Sequence, residues 1–187
     1  MDEKLAARAS AEASSGDARD ALRLGGKVYG YDIDDDAIES ARALFSARNV
    51  PEQRYEFRSR CHSTLLDVAR ESASVGAVCF NLGYLPGPCK VDRERRPKTA
   101  IETTLRAIES ALAIVRVGGV VTVVTYVKHE GGADEHEAVA AFLSSLSPKT
   151  FDVTSRAVVN RSQAPVFFSA VRVARDATRK EMASTSE

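Results

Sequence analysis

The sequence predicts an α/β fold, a mostly parallel sheet covered by helices that ends in an antiparallel strand pair. Two observations predict it. From residue 27 to residue 146, short β-rich runs alternate with segments whose apolar residues recur at helical spacing. The last two apolar runs, 151–159 and 166–173, are then separated by six residues, too few for a parallel crossover, so they pair antiparallel. The 187 residues, 44% hydrophobic and 28% charged, are enough for a real core and exclude a disordered chain.

Each element has its own local reason. Residues 27–32 form a short strand closing on Asp32, and 34–48 a helix with Ile38, Ala41, Leu44 and Phe45 on one face. A second strand is expected over 54–58, a helix over 63–71 with Leu65, Val68 and Ala69 inward, and a third strand over 75–82. The longest helical stripe runs over 99–115 through Ile101, Leu105, Ile108, Leu112 and Val115, with Gly118 and Gly119 as its stop. Residues 120–127 are β-branched, as a strand buried on both faces would be. A helix over 134–146 starts on Asp134 as its cap and stops before Pro148. This order is that of the class I methyltransferase variant of the doubly wound, Rossmann-like fold. The expected organisation is an N-terminal segment at 1–24 without a clear strand, a domain at 25–175 and a polar tail at 176–187.

Twenty-six basic residues balance twenty-six acidic ones, so there is no global positive field and any nucleic acid must be held locally. Cys61, Cys79 and Cys89 are odd in number and lack the spacing of a zinc or disulfide framework, which suits reduced thiols and predicts no metal site. No apolar run is long enough to span a membrane, and the acidic first 24 residues look like neither a secretory signal nor a transit peptide. A cytoplasmic protein with no membrane partner is the expectation.

In a doubly wound sheet, ligands bind at the carboxyl ends of strands. Asp32 stands there, where a carboxylate accepts both hydroxyls of a ribose or serves the helix dipole. Asp34 reads equally as a cap. His62, in the step Cys61-His62-Ser63-Thr64, could meet a cofactor or be structural. The loop Asn81-Leu82-Gly83-Tyr84-Leu85-Pro86-Gly87 offers an amide acceptor for an amine, a close backbone approach and an aromatic face for a base. His129-Glu130-Gly131-Gly132 precedes a helix and could form an anion nest or only a turn. Between these, Lys90, Arg93, Arg95, Arg96 and Lys98 could grip RNA phosphates or form a solvated loop.

From residue 27 to about 173 the chain resembles the putative rRNA methylase family of small bacterial and plant proteins. The match rests on Val28-Tyr29-Gly30-Tyr31-Asp32-Ile33, His62, the Asn81 to Gly87 loop followed by Lys90, Pro97-Lys98-Thr99, Tyr126, His129-Glu130-Gly131-Gly132, Phe142-Leu143, Asn160 and Pro165. Bacterial members of that family methylate the 5-aminomethyl group of the tRNA wobble uridine, with S-adenosylmethionine as donor. The resemblance implies that Asn81, with the Leu82 carbonyl, accepts hydrogen bonds from the amine while Tyr84 orients the base. Asp32, Ile33 and Asp34 would hold the ribose side of the cofactor, with His62 and Asn81 beside it. Gly83, Pro86, Lys90, Thr99, His129, Gly131, Gly132 and Asn160 would shape the pocket for tRNA or another RNA, in a monomer or a homodimer.

The front of the chain departs from the family's strand and glycine-rich cofactor loop. The nearest counterpart is residues 12–21, in which Gly16 and Asp17 would contact the cofactor, Asp17 replacing an asparagine and Ala18 a glycine. The expectation is a missing or eroded first strand, from a truncated gene model or a decayed enzyme, with an organelle as the compartment if the true N-terminus lies upstream. Asp34, Cys89, residues 91–94 and Ala100 depart in detail. The alternatives are a weakened or inactive methyltransferase-like protein that binds RNA or a partner, and a methyltransferase for rRNA or a small molecule. A nicotinamide oxidoreductase is disfavoured, since no Gly-x-Gly-x-x-Gly turn precedes Asp32.

Overall fold

The structure is a computed structural model that describes residues 26–65, 75–82, 101–128, 131–161 and 163–174. The chain divides into two compact units, residues 1–62 and 63–187.

In the first unit, β1 (Val28–Asp32) leads into α1 (Asp35–Ala47), a 3-10 turn follows at Glu52–Arg54, and β2 (Tyr55–Ser59) pairs with β1 in parallel. Gly30 sits opposite Phe57 in that register, and a Cβ there would lie 2.4 Å from the Phe57 ring, so the absence of a side chain lets the ring lie across the strand. Phe45 of α1 meets Tyr55 and Phe57 edge-on, with ring centroids 5.1 and 5.0 Å apart, and Ile38 is buried. The Arg42 guanidinium donates to the Phe57 carbonyl at 2.8 Å. Of the expected second helix, the described part is a 3-10 turn at His62–Thr64, and residues 66–71 lie outside the described residues.

The second unit holds a four-stranded sheet in the order β3-β4-β6-β5, built from β3 (Val75–Asn81), β4 (Val115–Thr125), β5 (Phe151–Arg156) and β6 (Val166–Arg172). β3 and β4 are parallel, whereas β6 is antiparallel to both β4 and β5, as the short final connection required. One face of the sheet, with Phe80, Val121, Val123, Phe168 and Ala170, packs on Ile108, Ala111 and Leu112 of α2 (Ile101–Ile114) and on Val139 and Leu143 of α3 (Gly132–Ser144). Among the described residues no ladder joins β1 and β2 to this sheet.

Two expectations are corrected here. Gly118 and Gly119 do not terminate the helix. The helix ends at Ile114 and the chain enters β4 at once, so both glycines lie inside the strand. Between the pairs Val75–Val115 and Ala77–Val120, β3 advances two positions while β4 advances five. The chain absorbs the extra residues at Gly118, whose φ is +76°, and Gly119, where a Cβ would lie 2.7 Å from the Gly76 carbonyl oxygen. Asp134 is not the cap of α3 either. Gly131, with φ +79°, occupies that position without a side-chain cap, and Asp134 falls in the first turn, where its charge still faces the positive helix end.

Candidate active site

In the first unit, the strand end carries Asp32, Ile33 and Asp34. The Asp32 Oδ1 accepts the Asp34 backbone N–H at 2.9 Å, and the Asp32 carbonyl accepts the Arg60 N–H at 2.9 Å. The carboxylate is therefore anchored through Oδ1 at the carboxyl end of β1, and it remains half-exposed. Asp34 is the N-cap of α1, its Oδ1 accepting the Asp36 N–H at 2.9 Å, so capping is its visible role. Ile33 is half exposed and available as an apolar contact. His62 is brought close to Asp32. Burial pushes the imidazole pKa down, and the Asp32 charge opposes that shift only in part. The lowered pKa keeps the ring mostly neutral near pH 7 beside the anchored carboxylate.

In the second unit, Asn81 closes β3 at the carboxyl edge with its side chain exposed. The next residue, Leu82, is buried and donates its N–H to the Val124 carbonyl at 3.0 Å. The ladder thus extends one step past the strand and fixes the backbone from which the Asn81 amide projects. Gly131 and Gly132 open α3, and the Glu135 N–H returns to the Gly131 carbonyl at 3.0 Å. Asn160 lies exposed in the turn between β5 and β6. Gly16, Asp17, Gly83, Tyr84, Pro86, Lys90, Thr99 and His129 lie outside the described residues.

Sequence reasoning missed two polar pairs in this unit. Glu135 of α3 is only 3% exposed and accepts a hydrogen bond at 2.8 Å from Thr104 of α2, itself wholly buried. Thr125, the last residue of β4 and also wholly buried, lies 2.8 Å from His136 Nδ1, and its hydroxyl is 3.4 Å from the Val166 carbonyl. The His136 ring tilts against Phe168 with centroids 5.6 Å apart. These contacts tie the first turns of α2 and α3 together and tie α3 to the carboxyl end of β4. A signal for Glu135 existed: it shares the buried stripe of Gly132, Val139 and Leu143.

The family model described as Putative rRNA methylase matches residues 28–172, nearly the whole described span. The chain belongs to this family. A chloroplastic tRNA (mnm(5)s(2)U34)-methyltransferase of Arabidopsis thaliana is 37% identical over 149 residues, which are 79% of this chain and 53% of that protein. The chain therefore spans about half the length of that curated relative. A solved Clostridium thermocellum protein described as a putative rRNA-methylase aligns with TM-score 0.68 at 30% identity, covering 79% of this chain and 75% of that one. A putative methyltransferase of Streptococcus mutans, solved in complex with SAH, aligns with TM-score 0.66 at 25% identity, covering 78% and 76%. The family fold is the Rossmann-like fold of class I methyltransferases, so the alternation of elements and the antiparallel close carry the reading the sequence suggested.

Proposed function

We propose that this chain is a methyltransferase that uses S-adenosylmethionine to methylate the nitrogen of a 5-aminomethyl group on a tRNA wobble uridine. The observation that carries this reading is Asn81, an exposed amide at the carboxyl end of β3 on a backbone locked by the Leu82 N–H to Val124. The Arabidopsis relative's name supports the acceptor, and the SAH-bound Streptococcus protein supports the donor. That relative's chloroplast assignment favours an organelle over the cytoplasm for this protein. Among the described residues, no helix is long and apolar enough to cross a membrane.

The residues present fit the nucleoside half of the cofactor. The Asp32 carboxylate, anchored through Oδ1, would take the ribose hydroxyls, with Ile33 and the neutral His62 bordering the base or ribose. Gly16 and Asp17 would serve the methionine half. S-adenosylmethionine supplies an electrophilic methyl group on its sulfonium sulfur. Nucleophilic attack needs a neutral amine with its lone pair in line, so the protein's work is orientation and exclusion of water. The Asn81 side-chain oxygen and the Leu82 carbonyl would accept the two amine hydrogens and leave the lone pair free for attack. Tyr84 would hold the uracil plane, and Gly83, Pro86, Lys90, Thr99, His129, Gly131, Gly132 and Asn160 would line the RNA side. Neither acceptor takes up the proton released after transfer, which passes to solvent.

Calorimetry with S-adenosylmethionine and methyl transfer to tRNA from cells lacking this modification test the reading. Saturable binding and one methyl per wobble uridine are expected. No binding heat at millimolar ligand refutes it, and methylation of rRNA or a small molecule alone refutes the acceptor.

A further inference from the structure

The strand order places three strand ends on one edge. β5 is antiparallel to β6, which is antiparallel to β4, so β5 runs with β3 and β4 and ends where they end. The registers go further: Asn81 pairs with Val124, Val124 with Phe167, and Phe167 with Arg156, so these four residues form one row across the sheet and share one face. With about 4.8 Å between neighbouring strands, Asn81 and Arg156 stand roughly 14 Å apart.

The chain continues from Arg156 into a built turn. The Arg161 N–H donates to the Val158 carbonyl at 3.1 Å, and the Ala164 N–H to the Arg161 carbonyl at 3.0 Å. Turns facing only water favour glycine, asparagine, aspartate and proline. This one presents two β-branched valines, Val158 at 46% and Val159 at 102% exposure, with Asn160 next to them. Arg156 and Arg161 flank them, both exposed, and among the described residues neither guanidinium has a carboxylate partner. An apolar tip between two exposed guanidiniums matches an unpaired base with phosphates on either side.

We propose that Arg156, Val158, Val159 and Arg161 form a docking element for single-stranded RNA, gripping nucleotides a few positions from the one presented to Asn81. This rests on the assignment of Asn81 to the acceptor site. The guanidiniums contact phosphates, and Val159 packs on the face of an unstacked base. A protein partner would use the same apolar tip but has no need of two exposed cations, one of them, Arg156, aligned with the acceptor row.

The test uses the full chain with an unmodified tRNA anticodon stem-loop, R156Q/R161Q, and V159D as a second variant. All three sites are exposed, so thermal melting should match the parent and certify folding. R156Q/R161Q should weaken RNA binding about tenfold, with the loss in KM rather than kcat. Two lost phosphate contacts should make the slope of log K against log salt shallower by about 1.4. V159D should weaken binding at least fivefold. Unchanged RNA affinity and salt slope in both variants overturn the proposal, as does a loss of binding to a protein with RNA affinity intact. Anisotropy reads RNA binding without turnover. If the parent binds RNA through these residues but transfers no methyl group, the reaction assignment fails and the docking element stands.

Discussion

Arg172 offers the sharpest test of how the second unit is held together. α2 runs straight into β4, so its last carbonyls have no following turn to satisfy them. Arg172, some sixty positions later on β6, supplies the donors: its Nη1 lies 3.1 Å from the Leu112 carbonyl, 3.4 Å from that of Ala113 and 3.0 Å from that of Val115. Its Nε donates to the Ala174 carbonyl at 3.3 Å, and its guanidinium carbon sits 5.5 Å from the Phe151 ring centroid.

One nitrogen shared among three acceptors counts as about one good charge-assisted bond, worth roughly 1.5–3 kcal/mol. The cation at a helix C-terminus adds about 0.3–1 kcal/mol, and the ring contact about 0.5–1 kcal/mol. The side chain is half-buried, and ordering it costs about 1–2 kcal/mol, so Arg172→Ala should lose about 2 kcal/mol. For a chain of this size that lowers Tm by roughly 4–8 °C. Arg172→Lys should recover part of it, since an ammonium keeps the charge but cannot reach both the helix end and Ala174. Differential scanning calorimetry with urea titration reads both. An Arg172→Ala melt within 1 °C of the parent would refute the reasoning, because no capping contribution would then survive solvation.

Four further outcomes follow from the geometry. Thr104→Val keeps the shape but removes the hydroxyl donated to the buried Glu135 carboxylate, and should cost about 2 kcal/mol by urea denaturation, with Thr104→Ser restoring most of it. Gly119→Ala places a Cβ 2.7 Å from the Gly76 carbonyl oxygen and should cost about 2 kcal/mol or more, whereas Gly76→Ala meets nothing nearer than 3.7 Å and should be milder. His62 has a folded pKa below its ordinary 6.5, so the unfolded chain binds more protons as pH falls through that range. Its contribution to stability should be full above about pH 7 and shrink on acidification, and His62→Gln should flatten that part of the urea midpoint against pH. Asn81→Ala should lower kcat by about a hundredfold if its carbonyl orients the amine, and a loss below threefold would remove it from that role.

What the sequence made legible was local. β4 could be read because its run is β-branched from Val120 to Val124, α2 because its apolar stripe holds for fourteen residues, and the antiparallel close because a six-residue gap forbids a crossover. The errors came where one residue type serves two purposes. A glycine pair after a helical stripe reads as a stop, yet Gly118 and Gly119 absorb a register shift that exists only against β3, some forty positions away. An aspartate before a helix reads as a cap, yet Asp134 yields that place to Gly131, which alone takes the left-handed turn without strain.

The buried polar contacts were harder to see because each has its partner on another element. Glu135 stands among Asp134 and Glu137 and looks like one more solvated charge until the rotation of α3 sets it against Thr104, and Arg172 looks like the end of an edge hairpin until β6 carries it to the end of α2. The candidate site divides the same way. That Asp32 and Asn81 close strands could be read from the sequence, and strand ends are where this fold binds ligands, but the row from Asn81 to Arg156 exists only once four strands are in register. A residue that closes one strand can thus be aligned with chemistry on another from which seventy-five positions separate it, and only the pairing pattern reveals it.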